Sequence, residues 1–165
     1  MVNCAAVNLA TIIDPHPEGD RALISRGRST TYGELRDQVA HLRGGLAGLG
    51  VEPGDRVALV CANNWYFVAS YLAVLGTGAV AVPLNPLSPT RALQRQIAEV
   101  GAKVAIVGPS GRSALSHLDR SALPDLRHVV ATSGATGDEV VLLDDLLAAE
   151  PVPTAARGDD DPAVL

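Results

Sequence analysis

Three short apolar runs constrain this chain more than any other feature. Val57-Ala58-Leu59-Val60-Cys61, Ala79-Val80-Ala81-Val82 and Val104-Ala105-Ile106-Val107 contain no charged or hydroxyl side chain. They are strand-length and do not alternate apolar with polar, so they read as strands buried on both faces, the condition of a parallel sheet covered by helices. Helical segments lie between them, and the alternation of strand and helix from about residue 22 onward predicts the α/β class: a layered sheet with helices on both faces, rather than a bundle or a sandwich.

The punctuation supports this reading. Residues 22–31 read as a small hairpin with Gly27 in its turn. Thr31, followed three residues later by Glu34, is a capping-box pattern, after which Leu35, Val39, Leu42, Leu46 and Leu49 recur at helical spacing until Gly50. Glu52-Pro53-Gly54-Asp55 is a turn into the first central strand. Asn63 or Asn64 caps a helix through residues 65–75, Gly76 and Gly78 turn it sharply into the strand at 79–82, and Pro83 and Pro86 end that strand. Ser88-Pro89 opens a helix to about residue 100 with Ser88 as cap and Pro89 at its first position. Residues 103–107 form a third strand, residues 112–119 a short helix and 128–131 a weaker strand. Residues 138–149 read as a strand fragment and a short helix, and 151–165 as an acidic Pro- and Gly-containing connector. The organisation expected is an N-terminal helix or arm at 1–20, an α/β unit at 21–150 and the connector.

Composition removes several function classes. Apolar residues make up 47% and charged residues 19% of 165 residues, which supports a folded core rather than a disordered chain. A net charge of −5 with 13 dispersed Lys and Arg offers no concentrated basic surface, which excludes a nucleic-acid partner. Cys4 and Cys61 have neither CxxC nor His-ligand spacing and read as unpaired thiols of a reducing compartment. Residues 1–13 place no Lys or Arg ahead of an apolar stretch, so they lack the start of a secretory signal, and a cytoplasmic location is expected. Gly76, Gly78 and Pro83 interrupt the most apolar region, residues 68–84, where a membrane span needs about 20 apolar residues.

Chemical candidates are few. His16, His41, His117 and His128 are scattered without Cys or carboxylate partners at ligand spacing. Ser110, Ser113 and His117 lie close together but without the Gly-x-Ser-x-Gly pattern of a nucleophile elbow, and read as a helix start. Thr132-Ser133-Gly134-Ala135-Thr136-Gly137 resembles the first part of a phosphate loop, but Asp138 and Glu139 follow, and two carboxylates repel a triphosphate. A surface loop is the reading there, and solvated linker is the reading of Asp159-Asp160-Asp161. No catalytic, cofactor-binding or metal-binding residue is assigned.

Two stretches together carry a family likeness. The first is Thr31-Tyr32-Gly33-Glu34-Leu35 with Leu49-Gly50-Val51-Glu52-Pro53-Gly54-Asp55-Arg56-Val57-Ala58-Leu59. The second is Leu72-Ala73-Val74-Leu75-Gly76-Thr77-Gly78-Ala79-Val80-Ala81-Val82-Pro83-Leu84-Asn85-Pro86. In order and spacing, followed by Gly101-Ala102-Lys103-Val104, they resemble the adenylate-forming (AMP-binding) superfamily that includes acyl-CoA synthetases, luciferases and peptide-synthetase adenylation domains. The stretch at 79–86 is closer to the acyl-CoA synthetase form. The resemblance implies the N-terminal portion of the large domain of such an enzyme, one that joins a fatty acid to coenzyme A through an acyl-adenylate, with ATP, magnesium and coenzyme A used by the whole enzyme.

The residues that carry the likeness are caps and turns. Asp160-Asp161-Pro162-Ala163-Val164-Leu165 looks like the family's lead-in to its phosphate loop, and the family's later motifs have no match in these 165 residues. The chain alone is therefore expected to be inactive. Its expected partner is the remainder of the AMP-binding domain, in cis or as a separate chain. A truncated product acting only by binding is the alternative, because residues 163–165 read as an apolar strand start without a partner in the chain, an exposed edge through which copies could self-associate.

Overall fold

The computed structural model describes residues 8–132, 140–158 and 160–165. The expectations for Cys4, for residues 133–137 of the loop with the phosphate-loop likeness, for Asp138 and Glu139, and for Asp159 lie outside the described residues.

A 3-10 turn at Leu9–Ile13 precedes the hairpin of β1 (Arg21–Ser25) and β2 (Arg28–Thr31), antiparallel with Ser25 opposite Arg28. The hairpin is closed by Arg26 and Gly27, both at positive φ (50° and 78°), the backbone of a two-residue turn whose twist matches the strands. α1 (Tyr32–Gly48) follows, and its capping box is complete: the Glu34 amide donates to Thr31 Oγ1 at 3.2 Å and the Thr31 amide to Glu34 Oε2 at 2.8 Å.

The main sheet then builds through β3 (Arg56–Val60), α2 (Trp65–Gly76), β4 (Val80–Pro83), α3 (Thr90–Glu99) and β5 (Val104–Val107). A 3-10 turn at Pro109–Gly111 runs into α4 (Arg112–Leu115), and β6 (His128–Ala131), β7 (Val140–Leu142) and α5 (Leu143–Leu147) complete it. Its five strands are all parallel in the order β4-β3-β5-β6-β7.

β3, β5 and β6 each serve two cores, and β4 adds Ala81 to the first. Val57, Leu59, Ala81, Val104, Ile106 and Val130 belong to the core formed with α1, α2 and α5, whereas Ala58, Val60, Ala105, Val107 and Val129 belong to the core formed with Leu93 and Ile97 of α3. This is why the runs carry no polar residue: successive side chains point to opposite faces, and both faces are dry. The α/β expectation of a sheet covered on both faces holds.

Two expectations need correction. α3 begins at Thr90; Pro89 is extended (ψ 142°), and no side chain caps the helix. The Pro89 carbonyl accepts from the Ala92 and Leu93 amides instead of Ser88 acting as cap. The strand expected at 128–131 is present between β5 and β7, with Val130 and Ala131 fully buried. Residues 163–165 do have a partner: Val164 bridges Ala81 in parallel, with the Ala81 amide donating to the Ala163 carbonyl at 2.9 Å and the Leu165 amide to the Ala81 carbonyl at 3.0 Å.

The stretch before that strand is also tied down. The Ala155 amide donates to the Gly76 carbonyl at 2.8 Å, Arg43 Nε donates to the Val152 carbonyl at 2.6 Å, and Asn8 Nδ2 donates to both the Leu75 carbonyl at 2.7 Å and the Ala155 carbonyl at 3.0 Å. Gly76 ends α2, where carbonyls lack helical partners, so Ala155 satisfies a group the helix cannot, and Asn8 adds a second bond to the Leu75 carbonyl, which also accepts from the Gly78 amide.

Candidate functional site

The strand order contains one reversal. From β3 the chain crosses by α2 to β4 on one side, then returns by α3 past β3 to β5 on the other, placing α2 and α3 on opposite faces. In open α/β sheets the carboxyl ends of the strands at such a reversal leave a crevice, because the loops diverge in opposite directions.

A crevice of about 420 Å³ lies there, lined by Cys61, Asn63, Phe67, Leu84, Leu87 and Ser110 among others. Cys61 and Asn63 follow β3, Leu84 and Leu87 follow β4, and Ser110 follows β5. Phe67 comes from the first turn of α2 and stacks on Tyr71 at 5.7 Å between ring centres. Asn64 Oδ1 caps α2 by accepting from the Phe67 amide at 3.3 Å, and Ser25 Oγ accepts from the Trp65 amide at 3.1 Å, so the hairpin is pinned beside the crevice. Asn85 Oδ1 accepts from the Leu87 amide at 3.0 Å, holding a tight turn that leaves Leu87 80% exposed.

The floor is close-packed. A Cβ on Gly111 would sit 2.8 Å from Val107 Cγ1 and 2.9 Å from the Val60 carbonyl oxygen, so only glycine lets the segment after β5 lie this near β3. Burial pushes the Cys61 thiol up to about 11, against a smaller opposing effect of its hydrogen bond with the Gly108 backbone, so the thiol is a poor nucleophile at neutral pH.

The sequence candidates are not brought together. Ser110 lies in the crevice, whereas His117 sits on an exposed helix end with Nδ1 2.8 Å from the Ser113 carbonyl oxygen and 3.0 Å from Ser116 Oγ. His16 stacks on Tyr32 at 4.2 Å, and His41 Nδ1 faces the Ala149 carbonyl. Among the described residues no three His, Cys, Asp or Glu side chains gather to hold a metal ion. Asp161 accepts from the Gly158 amide at 2.7 Å and lies 3.4 Å from Arg157 Nε, a local contact within the connector.

Periodicity could not reveal the crevice lining, because the order of strands is a tertiary fact. The signals present were the two Asn after β3 and the Pro-Leu-Asn-Pro-Leu run after β4, both at the carboxyl ends of buried strands.

A family model for AMP-binding enzymes matches residues 11–165. A CoA ligase of Mycobacterium tuberculosis, named for an octahydro-indenyl propanoyl group, is 41% identical over 111 residues, covering 66% of this chain and 22% of that protein. The crystal structure of an anthranilate CoA ligase in complex with anthranoyl-AMP shares the fold with a TM-score of 0.90 at 23% identity, over 98% of this chain and 32% of that one. A benzoate CoA ligase from Burkholderia xenovorans gives a TM-score of 0.82 at 26% identity, over 96% and 32%. The chain thus spans between a fifth and a third of the length of these three proteins. With the match running over nearly all of its residues, on a doubly wound sheet that superposes on those ligases, this chain belongs to the AMP-binding enzyme family.

Proposed function

We propose that this chain is the N-terminal portion of an ATP-dependent acyl-CoA synthetase, which joins a carboxylic acid to AMP with release of pyrophosphate and then passes the acyl group to the thiol of coenzyme A. The observation that carries this reading is the family match over residues 11–165 together with relatives named as CoA ligases. The form of residues 79–86 supports a fatty acid as the substrate. A second reading, a ring-bearing acid, is favoured by the anthranilate, benzoate and indenyl-propanoyl names of the similar proteins.

The isolated 165 residues do not perform the adenylation in this proposal. The crevice is lined by amides, a hydroxyl, a buried thiol and apolar groups, with no Lys, Arg, Asp or Glu among its described lining residues, so it does not fit a magnesium triphosphate. No step through ATP is assigned to these residues. Their role is to build the wall against which the rest of the domain packs, in cis or as a separate chain. Exposed Leu9, Ile12, Val164 and Leu165 are the apolar surface offered to it. No helix among the described residues is long and apolar enough to cross a membrane, and the two isolated thiols favour the cytoplasm.

The test is ATP–pyrophosphate exchange with a panel of fatty, benzoic and ring-bearing propanoic acids. It compares the 165-residue chain with the polypeptide encoded by the genomic DNA read past the Leu165 codon. Exchange by the longer protein with fatty acids and none by the chain is the expected result. Exchange only with ring-bearing acids establishes the second reading, exchange by the chain alone overturns its inactivity, and no exchange by the longer protein overturns the ligase assignment.

A further inference from the structure

Residues 149–158 cross α1 and α2 as an extended segment without secondary structure of their own. Three features hold them. Gly44 and Gly45 lie buried in the middle of α1. A Cβ at Gly44 would collide with the Glu150 carbonyl oxygen, so Gly44 is a seat that only a side-chain-free helix position provides, whereas Gly45 faces Leu146 of α5. Arg43, 8% exposed, reaches across with Nε on the Val152 carbonyl, its stem packed over Gly76, where a Cβ would come within 3.0 Å of Arg43 Cδ. Asn8, 7% exposed, spends both donors of its amide on the Leu75 and Ala155 carbonyls and its oxygen on the Ala10 amide at 2.9 Å.

Beyond this crossing, residues 163–165 hold the sheet through one bridge and two hydrogen bonds to Ala81. A single bridge is a weak anchor by itself, so its persistence depends on what holds the chain just before it. The strap makes backbone and capping bonds but contributes little to either core, the profile of a segment that opens without the sheet.

We propose that residues 149–158 are a strap that opens and closes as one unit on the Gly44 seat, and that Arg43 and Asn8 are its clasp, positioning residues that fix where the chain enters the edge of β4. Resting on the reading above, the clasp sets the position of the segment that looks like the lead-in to the phosphate loop, although neither residue touches the crevice.

The experiment is native-state amide hydrogen exchange on the 165-residue chain, comparing the wild type with Arg43→Met and Gly44→Ala. Arg43→Met keeps the apolar stem and removes the donor to Val152. Gly44→Ala improves the helix propensity of α1 while driving a methyl into the seat. The reporters are the amides of Ala155, Ala81 and Leu165, bonded to Gly76, Ala163 and Ala81; the controls are the amides of Leu84 and Gly108, bonded to Leu59 and Val60 inside the sheet. Exchange at the reporters is expected to rise about tenfold or more in both variants with the controls unchanged. Reporters and controls accelerating together, or reporters unchanged, overturns the proposal. If Arg43→Met does not fold, Gly44→Ala reads the same amides and decides the matter. The readout involves no nucleotide, acid or thiol, so its failure is distinguishable from failure of the ligase assignment.

Discussion

The indole Nε1–H of Trp65 donates to Gln38 Oε1 at 2.7 Å, tying the first residue of α2 to the middle of α1. Trp65 is the single tryptophan of the chain, so its emission reports this contact alone. Gln38→Ala leaves a half-buried N–H without its partner and is expected to lower stability by about 1 kcal/mol. Denaturant unfolding followed by tryptophan fluorescence should show a lower midpoint with an unchanged slope.

The capping box at the start of α1 gives a second expectation. Thr31→Ala removes the acceptor for the Glu34 amide and leaves Glu34 bonded only to the Thr31 backbone. A loss of about 1 kcal/mol is expected, with Thr31→Ser recovering most of it, measured as a shift of the thermal midpoint.

Gly45 of α1 lies against Leu146 of α5. Gly45→Ala improves helix propensity yet puts a methyl 2.6 Å from Leu146 Cβ and Cγ, so a net loss of about 1–3 kcal/mol is expected from overpacking. Leu146→Ala empties a buried site and costs about 2–5 kcal/mol. The double variant should lose close to the sum of the two, because Leu146→Ala keeps the Cα and Cβ that the new methyl meets at 2.7 and 2.6 Å and only the Cγ contact is relieved; a double-mutant cycle measures the remainder.

Cys61 sets a limit at high pH. Its thiol is raised by burial from 9.0 to about 11, so the folded state holds the proton that an unfolded chain releases. That contribution is fully present below about pH 9 and is lost as pH rises through about 11, falling by on the order of 2 kcal/mol across the window. Cys61→Ala should flatten the pH dependence of stability between those values, measured in a Cys4→Ser background. In the same background, alkylation of Cys61 at pH 7 should be far slower in the folded chain than in denaturant.

The sequence was most informative where the local chemistry is self-contained. The Thr31 and Glu34 pair and the Leu spacing of α1, the two-sided apolar runs of β3, β4 and β5, and Asn64 at the head of α2 are each determined within a few residues, and their elements lie where expected. The hairpin turn was only half legible, since Arg26 shares the left-handed backbone with Gly27 against its own preference. What could not be read depends on partners far along the chain. The crevice exists because β4 and β5 flank β3, and no periodicity encodes neighbour order. Residues 151–165 resemble a linker in composition because their fixing bonds are made by the backbone of Val152, Ala155 and Ala163, which leaves no side-chain pattern. Gly44 and Gly45 were a signal of close approach inside α1, but hydrophobic periodicity passes over glycine.

The outer edge of β4 has a consequence for how this sheet meets other chains. Along that edge the outward amides belong to Ala79, Ala81 and residue 83. The first donates to the Val74 carbonyl, the second to Ala163, and the third is absent because residue 83 is proline. Val80 and Leu84, the alternate positions, donate inward to the Asp55 and Leu59 carbonyls. Residues 79, 81 and 83 therefore present no vacant amide donor on this edge. The three positions are closed by two different means: hydrogen bonds inside the chain at Ala79 and Ala81, and an imino acid at Pro83.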